Sequence, residues 1–187
     1  GKQLTYADLA GLARNIATTL QDAGVKPGAC VGILASRSIQ ACAGLLGTLW
    51  VGATYVPISL KVPEERLLSV LDLLKPFALI VDVNGAKLLS ERVLAACPHL
   101  ILVPSEDTAL ELRSITDRKV CATRTLAAGA DRPIEPVAVN AEDLGYILYT
   151  SGTTGVPKGV MISTGSVHHF VSVMQERYGL TQEDRVA

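Results

Sequence analysis

Three uninterrupted apolar runs constrain the fold of this chain more than anything else in it. They are Cys30-Val31-Gly32-Ile33-Leu34-Ala35, Ala78-Leu79-Ile80-Val81 and Leu100-Ile101-Leu102-Val103. The first is the mark of a strand buried on both faces, as in a parallel sheet covered by helices, and the other two read as further strands. The stretches between them have helical spacing. Leu9, Leu12, Ala13, Ile16, Ala17 and Leu20 recur on one helical face, with Asp8 in the first turn and Gly24 just past the end. Residues 38–50 read as a second, very apolar helix. Pro63-Glu64-Glu65 opens a third, since helix starts favour proline and acids, and Pro76 stops it. Residues 86–95 read as one further helix. Tyr55-Val56-Pro57-Ile58 is a short extended segment, and Pro57 places it at a sheet edge or a strand end. The alternation predicts an α/β fold, a largely parallel sheet flanked by helices.

From 104 to 143 the signal weakens. A short strand near Val120-Cys121 is expected, and residues 127–143 read as a weakly structured connector around Asp131-Arg132-Pro133-Ile134-Glu135-Pro136. Residues 166–178 read as a helix ending near Gly179. Residues 179–184 look like a turn, and Arg185-Val186-Ala187 begins something extended. A natural domain rarely stops as a strand starts, so the chain reads as a fragment, incomplete at its C-terminus.

The run with chemistry in it is Tyr149-Thr150-Ser151-Gly152-Thr153-Thr154-Gly155-Val156-Pro157-Lys158-Gly159. Hydroxyls, glycines and one lysine in a single short loop suit a polyphosphate. Glycines let the backbone approach an anion, hydroxyls and amides donate to phosphate oxygens, and lysine adds a point charge. A Walker-type loop is excluded, because that motif ends in Gly-Lys-Ser/Thr and runs into a helix. Here Lys158 lies between Pro157 and Gly159, and Val160-Met161-Ile162 favours a strand. Tyr146-Ile147-Leu148-Tyr149 is also strand-like. The loop is therefore expected to join two strands and to grip phosphate without a helix dipole. A merely flexible surface loop would leave Pro157 and both strands as coincidence.

Composition narrows the remaining classes. The chain has 187 residues, is 49% hydrophobic and 19% charged, and carries a formal net charge of −1. It is globular, and neither nucleic acid nor an anionic membrane is an expected partner. Cys30, Cys42, Cys97 and Cys121 form no C-x-x-C pair, so no metal site is expected. They read as small buried hydrophobes in a reducing compartment, and a cytoplasmic location is expected. Residues 41–56 are apolar but broken by Gly44, Gly47 and Gly52, too short and interrupted for a membrane span.

The run 150–159 resembles the phosphate-loop motif of the AMP-forming adenylating superfamily. Leu4-Thr5-Tyr6-Ala7-Asp8-Leu9 resembles the family's opening L-T-Y-x-E-L, and Trp50-Val51-Gly52-Ala53-Thr54-Tyr55-Val56-Pro57-Ile58-Ser59 resembles its A-G-x-A-Y-V-P-L-D segment. The motifs keep the family's order along the whole chain. Tyr55 before Val56-Pro57, and Leu144-Gly145-Tyr146-Ile147-Leu148-Tyr149-Thr150, are most similar to the nonribosomal peptide synthetase branch.

The resemblance implies that 1–187 is the N-terminal part of an adenylation domain in a multidomain synthetase of secondary metabolism. It implies that an amino or related carboxylic acid reacts with ATP and Mg²⁺ to give an acyl-adenylate and pyrophosphate. The acyl group then passes to a phosphopantetheine thiol on a carrier domain. It assigns Thr150, Ser151, Thr153 and Thr154 as triphosphate donors, Gly152 and Gly155 as close-approach positions, and Lys158 as counter-charge; no catalytic residue and no metal ligand is assigned. Charge growing on the leaving pyrophosphate is what such donors would offset. Tyr6 is expected to pack a helix start and Pro57 to shape a strand end.

Two departures bear on that assignment. Family members usually carry an acid and then histidine where this chain has Ser163 and Thr164. His168 and His169 follow a turn later, and they are read as helix histidines in partial contact with solvent, not as substitutes. The chain also ends before the family's adenine, ribose and acyl pockets and its C-terminal domain, so 1–187 alone is expected to be inactive. An acyl- or aryl-CoA ligase of the same superfamily, or a non-catalytic adenylation-like scaffold, are the alternative readings.

Overall fold

The computed structural model describes residues 4–123, 134–150, 157–181 and 184. Helix α1 (Tyr6–Asp22) begins in a capping box. The Asp8 amide donates to Thr5 Oγ1 at 3.1 Å, and the Thr5 amide donates back to Asp8 Oδ2 at 3.0 Å. The helix ends before Gly24, whose φ of 87° continues the chain where a side chain would strain it. Strand β1 (Cys30–Leu34) and helix α2 (Ile39–Trp50) follow, with Ser38 capping α2. Gly47 sets how closely α1 and α2 approach, because a Cβ there would sit 2.7 Å from the Ala13 carbonyl oxygen.

Strand β2 (Thr54–Ile58) leads to α3 (Glu64–Leu74), which starts after Pro63 and is ended by Lys75 in the left-handed region before Pro76. Strand β3 (Ala78–Val81) comes next. The single helix expected over 86–95 is two pieces, α4 (Val83–Ala86) and α5 (Glu91–Ala96). The break has a local cause. Asp82 caps the first piece, and the Ser90 hydroxyl accepts from the Val93 amide to start the second, an alternative to continuous helix hydrogen bonding.

Strand β4 (Leu100–Val103) is followed by a helix the sequence reading missed, α6 (Glu106–Arg113). Its signals were present: Ser105 as cap, Glu106 and Asp107 in the first turn, Arg113 in the last. Strand β5 (Lys119–Ala122) stands where a short strand was expected. Residues 134–140 carry no regular structure. Strands β6 (Leu144–Thr150) and β7 (Lys158–Ser163) precede α7 (Thr164–Tyr178), which ends at Gly179 with φ 60°.

The seven strands form one sheet in the order β5-β4-β3-β1-β2-β6-β7. All neighbours are parallel except β6 and β7, which pair antiparallel at one edge. Strand β2 therefore lies inside the sheet. Pro57 is its penultimate residue, so of the two placements expected for that proline the strand end holds and the sheet edge does not. Its missing amide hydrogen is tolerated because β2 ladders with β6 only at Tyr55↔Tyr146.

Both faces of the sheet are covered, which is why the apolar runs do not alternate. Leu34, Leu79 and Ile101 meet Leu67, Leu71, Val93 and Leu112 from α3, α5 and α6. On the other face Ile33, Ile80 and Leu102 meet Ile16, Leu20 and Ala43 from α1 and α2. Asp82 ties the carboxyl ends of β1 and β3 together. It is 4% exposed and accepts from the Ser36 amide, the Ser36 hydroxyl and the Gly85 amide. Burial pushes its carboxyl up, but those donors outweigh burial and hold it below the ordinary carboxylate range.

Two expectations about single side chains are corrected. Cys42 is exposed on α2, not buried, while Cys97 is buried and Cys30 and Cys121 are half-buried; all are free thiols. An apolar helix in a small layer still has an outer face, and Cys42 falls on it. Tyr6, expected to pack the helix start, is the first residue of α1 and 72% exposed. Among the described residues no helix is long and apolar enough to cross a membrane.

Candidate functional site

The carboxyl ends of the parallel strands share one edge of the sheet, the edge where open α/β folds bind ligands. Thr150 ends β6 on that edge, and Lys158 begins β7 directly opposite it in the antiparallel register. The ladder runs Leu148↔Val160, Tyr149↔Gly159 and Thr150↔Lys158, and the Thr150 hydroxyl faces the Lys158 carbonyl at 3.5 Å. The hydroxyl-glycine run is thus bracketed by a strand on each side, as its flanks predicted, and α7 starts only after β7. Ser151, Gly152, Thr153, Thr154 and Gly155 lie outside the described residues.

Local packing explains why the two strands hold this register. Gly159 leaves room for its neighbours: a Cβ there would meet Ile147 at 2.9 Å and the Tyr149 ring at 3.6 Å. Strand β6 is fastened to β2 by a hydrogen bond from the fully buried Thr54 hydroxyl to the Leu144 carbonyl, 3.1 Å. Tyr55 and Tyr146 stack with centroids 5.1 Å apart. Burial, then the neighbouring Tyr146, pushes the Tyr55 hydroxyl's pKa up, so it stays a neutral hydroxyl.

One contact at this edge had no signal in the sequence. Arg66 on α3 donates from Nη2 to the Thr150 carbonyl at 3.0 Å across 84 residues of chain. No local pattern links residues so far apart.

Ser163 and Thr164, which stand where the resembling family carries acid and histidine, have structural work. The Ser163 hydroxyl accepts from the Ser166 amide and caps α7. The Thr164 hydroxyl donates to the Asn140 carbonyl at 2.6 Å, and its amide to Asp143 at 2.7 Å. These bonds pin the helix start to the turn before β6. His168 and His169 are exposed on α7. Among the described residues no group of three or more His, Cys, Asp or Glu side chains could hold a metal ion.

The whole chain, residues 1–187, matches the model of a family described as AMP-binding enzyme. The chain belongs to that family. It is 35% identical over 185 residues to tyrocidine synthase 3 of Brevibacillus parabrevis, covering 98% of this chain and 2% of that protein. It is 32% identical over 184 residues to a dimodular nonribosomal peptide synthase of Bacillus subtilis, covering 98% of this chain and 7% of the relative. Among solved structures it resembles a Brucella canis acyl-CoA synthetase, with TM-score 0.77 and 25% identity over 98% of this chain and 32% of that one. The family and the synthetase-like character read from the motifs both hold. The chain spans under a tenth of the length of these two sequence relatives.

Proposed function

We propose that this chain is part of a nonribosomal peptide synthetase adenylation domain. The protein carrying it joins an amino or related carboxylic acid to ATP as an acyl-adenylate, releases pyrophosphate, and passes the acyl group to a carrier-domain phosphopantetheine thiol. The observation that supports this reading best is the hydroxyl-glycine-lysine run held between β6 and β7 at the carboxyl edge of the sheet. The family match and the synthetase relatives support it further.

In this reading Thr150, Ser151, Thr153 and Thr154 donate to the triphosphate, Gly152 and Gly155 let the backbone approach it, and Lys158 offsets its charge. Of these, Thr150 and Lys158 are fixed by the β6–β7 register and need no rearrangement as charge grows on the leaving group. Mg²⁺ arrives with ATP, where it neutralises phosphate charge; the described residues offer it no carboxylate cluster, and none is assigned to it.

The test is ATP–pyrophosphate exchange by the full-length protein against a panel of amino, aryl and fatty acids. Amino-acid-dependent exchange with loading of a carrier domain is expected. Loading of free CoA instead would make the protein an acyl-CoA ligase, and no exchange with any acid would leave a non-catalytic module. Residues 1–187 alone are expected to drive no exchange, because they correspond to 32% of a solved relative.

A further inference from the structure

The Thr150 carbonyl lies at the last rung of the β6–β7 ladder. On the other side β2 ladders with β6 only at Tyr55↔Tyr146, so sheet pairing alone leaves the end of β6 held from one side. The group that reaches it from the helix layer is the Arg66 guanidinium, 3.0 Å from the Thr150 oxygen. A guanidinium stays charged at every working pH and presents its donors in a rigid plane, so this bond is both stronger and more directional than a neutral one.

Arg66 is itself held in place. Its helix neighbours Leu67, Val70 and Leu71 are buried in the core. Glu64 and Glu65 pair with Arg92 on α5, and the Ser90 hydroxyl donates to Glu64 at 2.9 Å. Helix α3 is thereby fastened to α5 on one side and to the sheet on the other. The Arg66 side chain carries that fixed position to Thr150.

We propose that Arg66 is a positioning residue for the phosphate site: by clamping the Thr150 carbonyl it fixes the Thr150 hydroxyl and, across the register pair, Lys158. Arg66 acts through these two residues and touches no reacting atom. The inference rests on the reading of the 150–159 run as the triphosphate grip.

The test is steady-state ATP–pyrophosphate exchange by the full-length protein with Arg66→Gln, Arg66→Ala and Arg66→Lys. Glutamine is too short to reach Thr150, and all three residues favour helix, so α3 is preserved. Arg66→Gln and Arg66→Ala are expected to raise KM for ATP about 5-fold, the worth of one solvent-facing charge-assisted hydrogen bond. KM for the acid is expected to stay within about 2-fold and the melting temperature to fall by no more than about 4 °C. Arg66→Lys keeps a charged donor and is expected to recover most of the loss.

An unchanged KM for ATP in the glutamine and alanine variants overturns the clamp. So does a parallel rise in both KM values with a larger fall in melting temperature, which is what a merely structural arginine gives. If Arg66→Ala fails to fold, the glutamine and lysine variants decide on the same criteria. A wild-type protein with no exchange at all overturns the functional reading itself, and the clamp's role with it.

Discussion

Asp82 gives the sharpest test of the architecture that presents the phosphate edge. It is 4% exposed and its carboxylate takes three hydrogen bonds, two from Ser36 after β1 and one from Gly85 in α4. Asp82→Ala removes the acceptor, leaving the buried Gly85 amide unsatisfied and the half-buried Ser36 amide and hydroxyl without their protein partner. A net 1 kcal/mol or so for each unmade bond gives a loss of roughly 3 kcal/mol. For a cooperative unit of this size that is a fall in melting temperature of roughly 6–12 °C.

The pH dependence has a definite sign. The folded carboxyl titrates below its unfolded value of about 4, so its contribution is complete above that value and is lost as pH falls through the lower, folded one. Melting curves of wild type and Asp82→Ala, followed by circular dichroism from pH 7 down to pH 3, should show a gap that is full near neutrality and narrows in acid. Asp82→Asn keeps the shape but weakens acceptance, and should fall between the two. An alanine variant as stable as wild type at pH 7, or a gap that does not narrow in acid, would refute the claim that a buried, bonded carboxylate holds β1 to β3.

Three other outcomes follow from particular contacts. Lys158→Ala should raise KM for ATP about 10-fold in exchange assays while leaving the circular dichroism spectrum unchanged; an unaltered dependence of rate on ATP would remove lysine from the phosphate site. Gly47→Val should destabilise by about 2–3 kcal/mol in thermal or urea melts, because its side chain would press on the Ala13 carbonyl and Ile16, and a neutral substitution would mean α1 and α2 can separate freely. Cys42 should react first with a thiol reagent at pH 8. Cys97, whose thiol is pushed up to about 12 by burial, should react only after denaturant is added, with labelling read by mass.

Legibility along the chain followed the range of the interactions involved. Strands β1, β3 and β4 were readable because burial on both faces writes a continuous apolar run. Helices α1, α2, α3 and α7 were readable from spacing and caps. Helix α6 was readable too, since Ser105, Glu106, Asp107 and Arg113 mark its ends, but its exposed Leu110 blurs the apolar face. The split of α4 from α5 turned on whether Ser90 would cap a new helix or sit inside an old one, a choice its neighbours alone do not decide. Exposure of Cys42 and Tyr6 was misjudged because residue type fixes a tendency to be buried, not a place in the layers.

The amino-acid pattern alone determined the helix-strand alternation, the two-sided burial of the inner strands, and the strand-bracketed run of hydroxyls, glycines and lysine that opens the chemistry. These are local properties, written in continuous apolar runs, in the 3.6-residue spacing of the helices and in the caps between them. Tertiary structure decided the strand order, which sets β1 between β2 and β3 and draws Pro57 into the sheet. It also brought Arg66 to Thr150 and Ser36 to Asp82. Contacts of that kind depend on which way each crossover turns and on how whole helices pack, so no window of neighbouring residues contains them.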